Sequence, residues 1–191
     1  MDQLDRSLLL WLNQQHSAWL DPVMWQISQP VTWIWVYVLL AVLIIKRFRP
    51  VQWFWVLLSF GLLILLCDFT VTHCIKNVVQ RLRPSHDPSL QPLLHLITDA
   101  NGNPYRGGRF GFFSSHASNH MGIATLFILW MRPLKTYWII ALICWATMIA
   151  YSRVYLGVHY PSDVLAGMVY GALAAILVHF IFRKALKITR S

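Results

Sequence analysis

Residues 151–182 read Tyr-Ser-Arg-Val-Tyr-Leu-Gly-Val-His-Tyr-Pro-Ser-Asp-Val-Leu-Ala-Gly-Met-Val-Tyr-Gly-Ala-Leu-Ala-Ala-Ile-Leu-Val-His-Phe-Ile-Phe. From Pro161 to Phe182 the run is apolar enough, and at least the roughly 20 residues long, that a helix needs to cross a bilayer. Pro161 stands at its first turn, where a missing N–H costs nothing, and Arg183, Lys184, Lys187 and Arg190 follow its end. An arginine, a histidine and an aspartate precede or open the apolar run. This stretch alone therefore describes a membrane helix with polar chemistry at its mouth.

The rest of the chain extends that reading. Of 191 residues, 57% are hydrophobic and 12% charged, more apolar and less charged than a soluble domain. Further spans are expected at about 27–45, 53–82, 114–131 and 136–151, which with 161–182 make five. The expected fold is all-α, an integral membrane helix bundle in a single domain, 1–191, with no internal repeat. Residues 1–25 carry Leu4, Leu8, Trp11, Leu12 and Trp19 at helical spacing among polar residues, which predicts an interfacial amphipathic helix. Were residues 4–25 to dip into the bilayer they would form a sixth span, at a cost set by Asn13, Gln14, Gln15, His16 and Asp21. The apolar stretch from Leu8 to Leu12 is too short for a signal-peptide core and follows acidic residues, so insertion through the chain's own spans is expected.

The net charge of +9 comes from 16 Lys and Arg against seven Asp and no Glu. Position explains most of it. Lys46, Arg47, Arg49, Arg132, Lys135, Arg183, Lys184, Lys187 and Arg190 fall at one membrane face, which the excess of cations marks as cytoplasmic. The opposite face holds Lys76, Arg83 and Arg153 together with the aspartates, a mixed charge that removes the argument for nucleic acid. Cys67, Cys74 and Cys144 lie in apolar segments and imply no disulfide framework. Trp19, Trp25, Trp33, Trp53 and Trp130 mostly fall near span boundaries, as an aromatic belt would.

Three polar segments converge on the outer face. Lys76 and Arg83, followed by Pro84, are seven residues apart, so on one helix both point to one side. That suits a phosphate, and equally suits a pair of snorkelling cations. Phe113-Ser114-Ser115-His116 opens the third span, where exposed N–H groups and the helix dipole favour an anion; an ordinary N-cap reads the same way. In the third segment His159 and Asp163 are one turn apart, a spacing at which a carboxylate fixes the imidazole tautomer and frees the other nitrogen to attack phosphorus. Helix capping accounts for Asp163 but not for His159 or Arg153. His120 lies one turn after His116, a spacing that suits a metal, although three nearby cations repel one. Asp68, inside the second span, remains unassigned between function and structural pairing.

Taken in order, the three segments resemble the type-2 phosphatidic-acid phosphatase superfamily, whose pattern is Lys-x6-Arg-Pro, Pro-Ser-Gly-His and Ser-Arg-x5-His-x3-Asp. The first and third match completely, and in the second Phe113 stands for proline and Ser115 for glycine. The resemblance covers roughly residues 68–182. It implies a catalytic set of His159 as nucleophile, His116 as acid and then base, and Asp163 as orienter. Lys76, Arg83, Arg153, Ser114 and Ser115 would bind the phosphate, with the cations in place of magnesium and no metal or other cofactor. The expected partner is a phosphorylated membrane lipid: polyprenyl pyrophosphate, lipid A phosphate, phosphatidylglycerol phosphate or phosphatidic acid. The expected setting is the cytoplasmic membrane, with the site facing outward. Transfer of the phosphate to another acceptor, or lipid binding and transport without chemistry, are the alternatives. The outward-facing loop 85–113 is too long for an idle connection, and within it Asn101-Gly-Asn-Pro104 marks a turn while Tyr105, Arg106 and Arg109 are candidates to touch a headgroup.

Overall fold

The structure, a computed structural model, describes residues 2–98 and 102–186; Asp99, Asn101, Lys187 and Arg190, which entered the loop and topology arguments, lie outside the described residues. The chain runs through α1 (Asp2–Asn13), α2 (Leu20–Ser28), a 3-10 turn at Pro30–Trp33 and α3 (Ile34–Arg47). Next come α4 (Pro50–Phe69), a π-helical stretch at Thr70–Lys76 and α5 (Asn77–Val79), then α6 (Ser115–Trp130), α7 (Thr136–Tyr155) and α8 (Pro161–Ala185). Pro50 and Pro161 open their helices at the position where proline is tolerated. The Ser114 hydroxyl caps α6 by accepting from the N–H of Ala117 at 3.4 Å.

Among the described residues, four stretches are long and apolar enough to cross a membrane: Pro30–Arg47, Pro50–Val79, Thr136–Tyr155 and Pro161–Ala185. Their apolar side chains, among them Trp35, Leu65, Leu173 and Phe180, face outward in large numbers, as a lipid-facing surface requires. The expected third span, α6, differs. Its 16 residues reach only about 24 Å, and eleven of them are buried. It is the central post of the bundle, packed on α4, α7 and α8.

Close packing of α6 on α8 is set by two glycines one turn apart. A Cβ on Gly167 would lie 2.5 Å from the carbonyl oxygen of Ser114, and one on Gly171 would collide with that of Ser118. Small residues at this spacing let helix backbones approach where no hydrophobic force drives them together. Below this contact the core continues through Leu63, Leu126, Phe127, Ile149, Ala175 and Val178.

The N-terminal 25 residues form two helices rather than one. In α1, Leu9 and Asn13 are buried while Leu4, Leu8 and Trp11 are exposed. One face thus packs on the bundle and the other keeps the apolar stripe expected of an interfacial helix. The Asn13 amide explains the burial of a polar group, because it donates to the carbonyls of Tyr155 at 2.7 Å and His95 at 3.0 Å and accepts from the His95 N–H at 2.8 Å. Of the belt candidates, Trp19 is exposed, but Trp130 is interior and donates to the Ser59 hydroxyl at 3.2 Å.

The second span stops earlier than Arg83-Pro84 would stop it. Gln80 takes a left-handed conformation at φ 48°, and the next three residues run antiparallel to 109–111. Arg83 N–H donates to the Arg109 carbonyl at 3.0 Å and Gly111 N–H to that of Arg81 at 2.9 Å. Lys76 and Arg83 therefore do not share a helix face; Arg83 is delivered by an extended segment clasped to the end of the long loop.

Replacing Gly171 with valine forces α8 away from Ser118 and is expected to cost at least about 2 kcal/mol. A lowered Tm of the detergent-solubilised protein checks it, and an unchanged Tm would contradict the close contact.

Candidate active site

The α7–α8 turn is built around one carbonyl. That of Arg153 accepts from the N–H groups of Val158 and His159, both at 3.2 Å, while Gly157 reverses the chain at φ +66°, a conformation that disfavours a side chain. His159 emerges 1% exposed, with Nδ1 3.5 Å from Oδ2 of the fully buried Asp163. That is ion-pair proximity without a hydrogen bond, and Nδ1 makes none elsewhere. The expected orienting contact is thus a near approach, because the carboxylate is also engaged elsewhere. Its Oδ2 accepts from the Tyr160 N–H at 3.1 Å and its Oδ1 from Arg81 Nη1 at 2.8 Å.

The second segment is tied directly to the third: the Ser114 N–H donates to the Asp163 carbonyl at 3.0 Å. The mouths of α6 and α8 are thereby stitched together, and that N–H is not free for an anion. Ser115, where the resemblance has glycine, accepts from Lys76 Nζ at 3.3 Å. Phe113, where it has proline, is buried against Tyr170 with ring centroids 5.0 Å apart. Both departures carry contacts of their own.

The cations are held by uncharged partners. Arg153 Nη1 donates to the Ser28 hydroxyl and Nη2 to the Tyr105 hydroxyl at 3.0 Å. Arg83 Nε donates to the Phe110 carbonyl at 3.2 Å and Nη1 to that of Val158 at 3.5 Å. A Cβ at Gly107, where φ is +65°, would meet Arg83 Nη1 at 2.7 Å, so the loop glycine makes room for the guanidinium. Burial, with the repulsion of Arg153 added, brings Arg83 down to about 10, still charged at neutral pH. His159 is held well below the ordinary imidazole range by burial first, then by Arg83, Arg153, Lys76 and His116. The structure thus brings together all eight residues singled out at these three segments, with the positive charge focused on a neutral imidazole.

The other candidates have partners within the fold. His120 Nδ1 donates to the His116 carbonyl at 2.8 Å, and its Nε2 lies 2.8 Å from the Tyr37 hydroxyl. Both ring nitrogens thus have partners within the fold. Asp68 accepts from the Asn119 amide at 2.9 Å and joins α4 to α6. Tyr105 serves Arg153, and the Arg106 and Arg109 carbonyls accept from Ser85 Oγ and the Arg83 N–H.

Sequence reasoning missed Arg81, Asp5, Ser28 and the Asp21–His95–Tyr155 group. Asp21 accepts from Tyr155 at 2.6 Å and pairs with His95 at 2.9 Å. The one available signal was scarcity: each aspartate in a chain with seven acids is worth a partner, but linear spacing does not say which.

The family model described as the PAP2 superfamily matches residues 52–187. A lipid A 4'-phosphatase of Bacteroides thetaiotaomicron is 33% identical over 184 residues, covering 96% of this chain and 79% of that protein. Another from Porphyromonas gingivalis is 29% identical, with 95% and 72% covered. Among solved structures, a PAP2-type phosphatidylglycerolphosphate phosphatase from Bacillus subtilis aligns at a TM-score of 0.69 and 22% identity, over 99% of this chain and 88% of its own; this likeness concerns the fold.

Tyr105→Phe removes one of the two hydroxyls that hold the buried Arg153 and is expected to cost about 1–3 kcal/mol. Thermal unfolding in detergent measures it, and a loss below about 0.3 kcal/mol would mean that the hydroxyl does not hold the guanidinium.

Proposed function

Because the chain belongs to the PAP2 superfamily and is a multi-pass membrane lipid phosphatase, we propose that it removes a phosphate from lipid A, with His159 as nucleophile and no metal. The observation that carries the reading is His159 itself: buried, neutral, 3.5 Å from a buried carboxylate and faced by Lys76, Arg83 and Arg153. A structural histidine has no need of three cations. A phosphoryl group, with charge spread over its equatorial oxygens, does.

The proposed reaction has two steps. The Nε2 lone pair of His159 attacks phosphorus, the phosphorus–oxygen bond to the lipid breaks, and His116 gives its proton to the departing alkoxide. Nδ1–H of the charged phosphoimidazole then faces the Asp163 carboxylate, which stabilises it. Water, losing a proton to His116, next attacks phosphorus; the phosphorus–nitrogen bond breaks, inorganic phosphate leaves and both histidines return to their starting states. Lys76, Arg83 and Arg153 neutralise the equatorial oxygens, joined by the Ser114 and Ser115 hydroxyls.

Lipid A is favoured over other lipid phosphates by the near-full-length matches to two lipid A 4'-phosphatases. The cation asymmetry supports the cytoplasmic membrane with the site outward: Lys46, Arg47, Arg132, Lys135, Arg183 and Lys184 lie at the end opposite His159. There a phosphate at headgroup depth meets the helix mouths while the acyl chains stay in the bilayer.

Purified protein should release phosphate from lipid A, with activity retained in chelator and blocked by vanadate, and His159→Ala should lose on the order of a thousandfold or more in kcat. Full activity in that variant would sink the mechanism; loss on chelation with recovery on adding zinc would sink the metal-free part. The pH profile gives an independent check. A lowered folded value leaves the His159 lone pair free above that value, so kcat/KM in free enzyme should show no acid limb near the ordinary histidine value of about 6.5. Stability carries the matching sign: His159 contributes above about 6.5, and the contribution is lost as pH falls below it, because the unfolded chain then binds a proton that the native site refuses.

A further inference from the structure

The N-terminal helix reaches the catalytic segment through one acid. Asp5 on α1 accepts from the N–H of Ser162 at 3.0 Å, from the Ser162 hydroxyl at 2.5 Å and from Arg81 Nη2 at 2.7 Å. Arg81 turns its other nitrogen, Nη1, to Asp163 Oδ1 at 2.8 Å and to the Ser162 hydroxyl at 2.7 Å. Its guanidinium lies 3.9 Å from the centre of the Tyr160 ring, and its carbonyl is clasped by Gly111. One planar fork therefore joins α1, the segment after α4 and the first turn of α8. Arg81 stands at one of the six unspecified positions of the first family segment, and Asp5 lies outside all three.

What the fork holds is the carboxylate beside His159. Asp163 divides its oxygens, Oδ1 to Arg81 and Oδ2 to the Tyr160 N–H and towards His159 Nδ1. A fully buried carboxylate without a countercharge takes up a proton or swings to find one. Arg81 supplies that countercharge from the side away from the imidazole, so its pull fixes the Oδ1 edge and leaves Oδ2 facing Nδ1. Asp5 in turn orients Arg81, and Leu9 and Asn13 bury the same face of α1 against the bundle.

We propose that Arg81 and Asp5 are a positioning pair that holds the Asp163 carboxylate against His159, making the N-terminal helix a working part of the phosphatase site. The inference rests on His159 being the nucleophile. Neither residue touches the reacting atoms; both act through Asp163. The charged and titratable groups facing Asp163 are Arg81, Asp5, His159 and Tyr160, with the cations Arg83 and Lys76 beyond. Loss of Arg81 leaves Asp5 as an unbalanced acid beside it, so the carboxylate stays protonated to higher pH.

The test compares kcat, KM and pH profiles on lipid A in detergent for Arg81→Gln, Arg81→Lys, Asp5→Asn and, as references, His159→Ala and Arg6→Gln. Arg6 sits on the same helix but pairs with Asp87 at the surface, so its loss should leave activity unchanged. Arg81→Gln should lower kcat by about 10–100-fold, the scale of residues that orient a reacting group. KM should stay within about twofold, and the acid limb of kcat should move to higher pH. Arg81→Lys should recover part of the rate, and Asp5→Asn, which keeps its volume, should show the same shift more weakly and stands in if Arg81→Gln does not fold. Wild-type kcat and pH profile in both Arg81→Gln and Asp5→Asn, with His159→Ala inactive, would overturn the proposal. A fall in Tm with an unmoved profile would overturn it too, since that is what a purely structural tie produces. Full activity in His159→Ala would instead overturn the nucleophile assignment.

Discussion

The buried carboxylate of Asp163 is the constraint around which the outer end of the bundle is arranged. A charge with no exposure survives in a low-dielectric interior only if its lone pairs are taken up on several sides. Here they are, by the Tyr160 N–H, by Arg81 and by the near approach of His159, while the Asp163 carbonyl receives Ser114. His159 and Tyr160 arrive with the mouth of α8 itself, Arg81 from the segment after α4 and Ser114 from the mouth of α6. The carboxylate and carbonyl of one residue thus set the registry of α6, α8 and the segment after α4, with α1 joined through Arg81.

Close backbone packing makes that registry possible. Gly167 and Gly171 bring α8 against the carbonyls of Ser114 and Ser118, which lets the Ser114 N–H reach Asp163. Lower in the bundle the same helices are held by ordinary apolar contact and by the outward lipid face. The polar end and the apolar end therefore depend on each other: a wider α6–α8 separation would break the bond from the Ser114 N–H to the Asp163 carbonyl and part the helix mouths.

The cations pose the opposite problem, since Lys76, Arg83 and Arg153 crowd one imidazole with no acid in direct contact among the described residues. They are held by hydroxyls and carbonyls: Ser115 for Lys76, Phe110 and Val158 for Arg83, Ser28 and Tyr105 for Arg153. Such partners fix direction without cancelling charge. The positive field stays available to an incoming phosphoryl group, and the long loop has a structural reason for its length, because Gly107, Phe110 and Tyr105 all come from it.

Much was legible along the chain. Apolar runs and cation placement determined a helical membrane bundle, since hydrocarbon solvates neither backbone nor charge, and the joint spacing of Lys76, Arg83, Ser114, His116, Arg153, His159 and Asp163 determined which residues meet. Linear spacing failed where the backbone left its regular period. Arg83 belongs to an extended clasp because Gln80 ends the helix in a left-handed turn. The π-helical stretch at Thr70–Lys76 shifts the register that would carry a helical wheel to Arg83. Only the tertiary structure decided that Asp5, some 158 residues from Asp163 in sequence, reaches it through Arg81, that His120 is spent on Tyr37, and that the serine and phenylalanine replacing family residues hold Lys76 and Tyr170. These are pairings between charges or rings on separate elements. Their energies depend on distance and burial in three dimensions, which no local pattern of residues encodes.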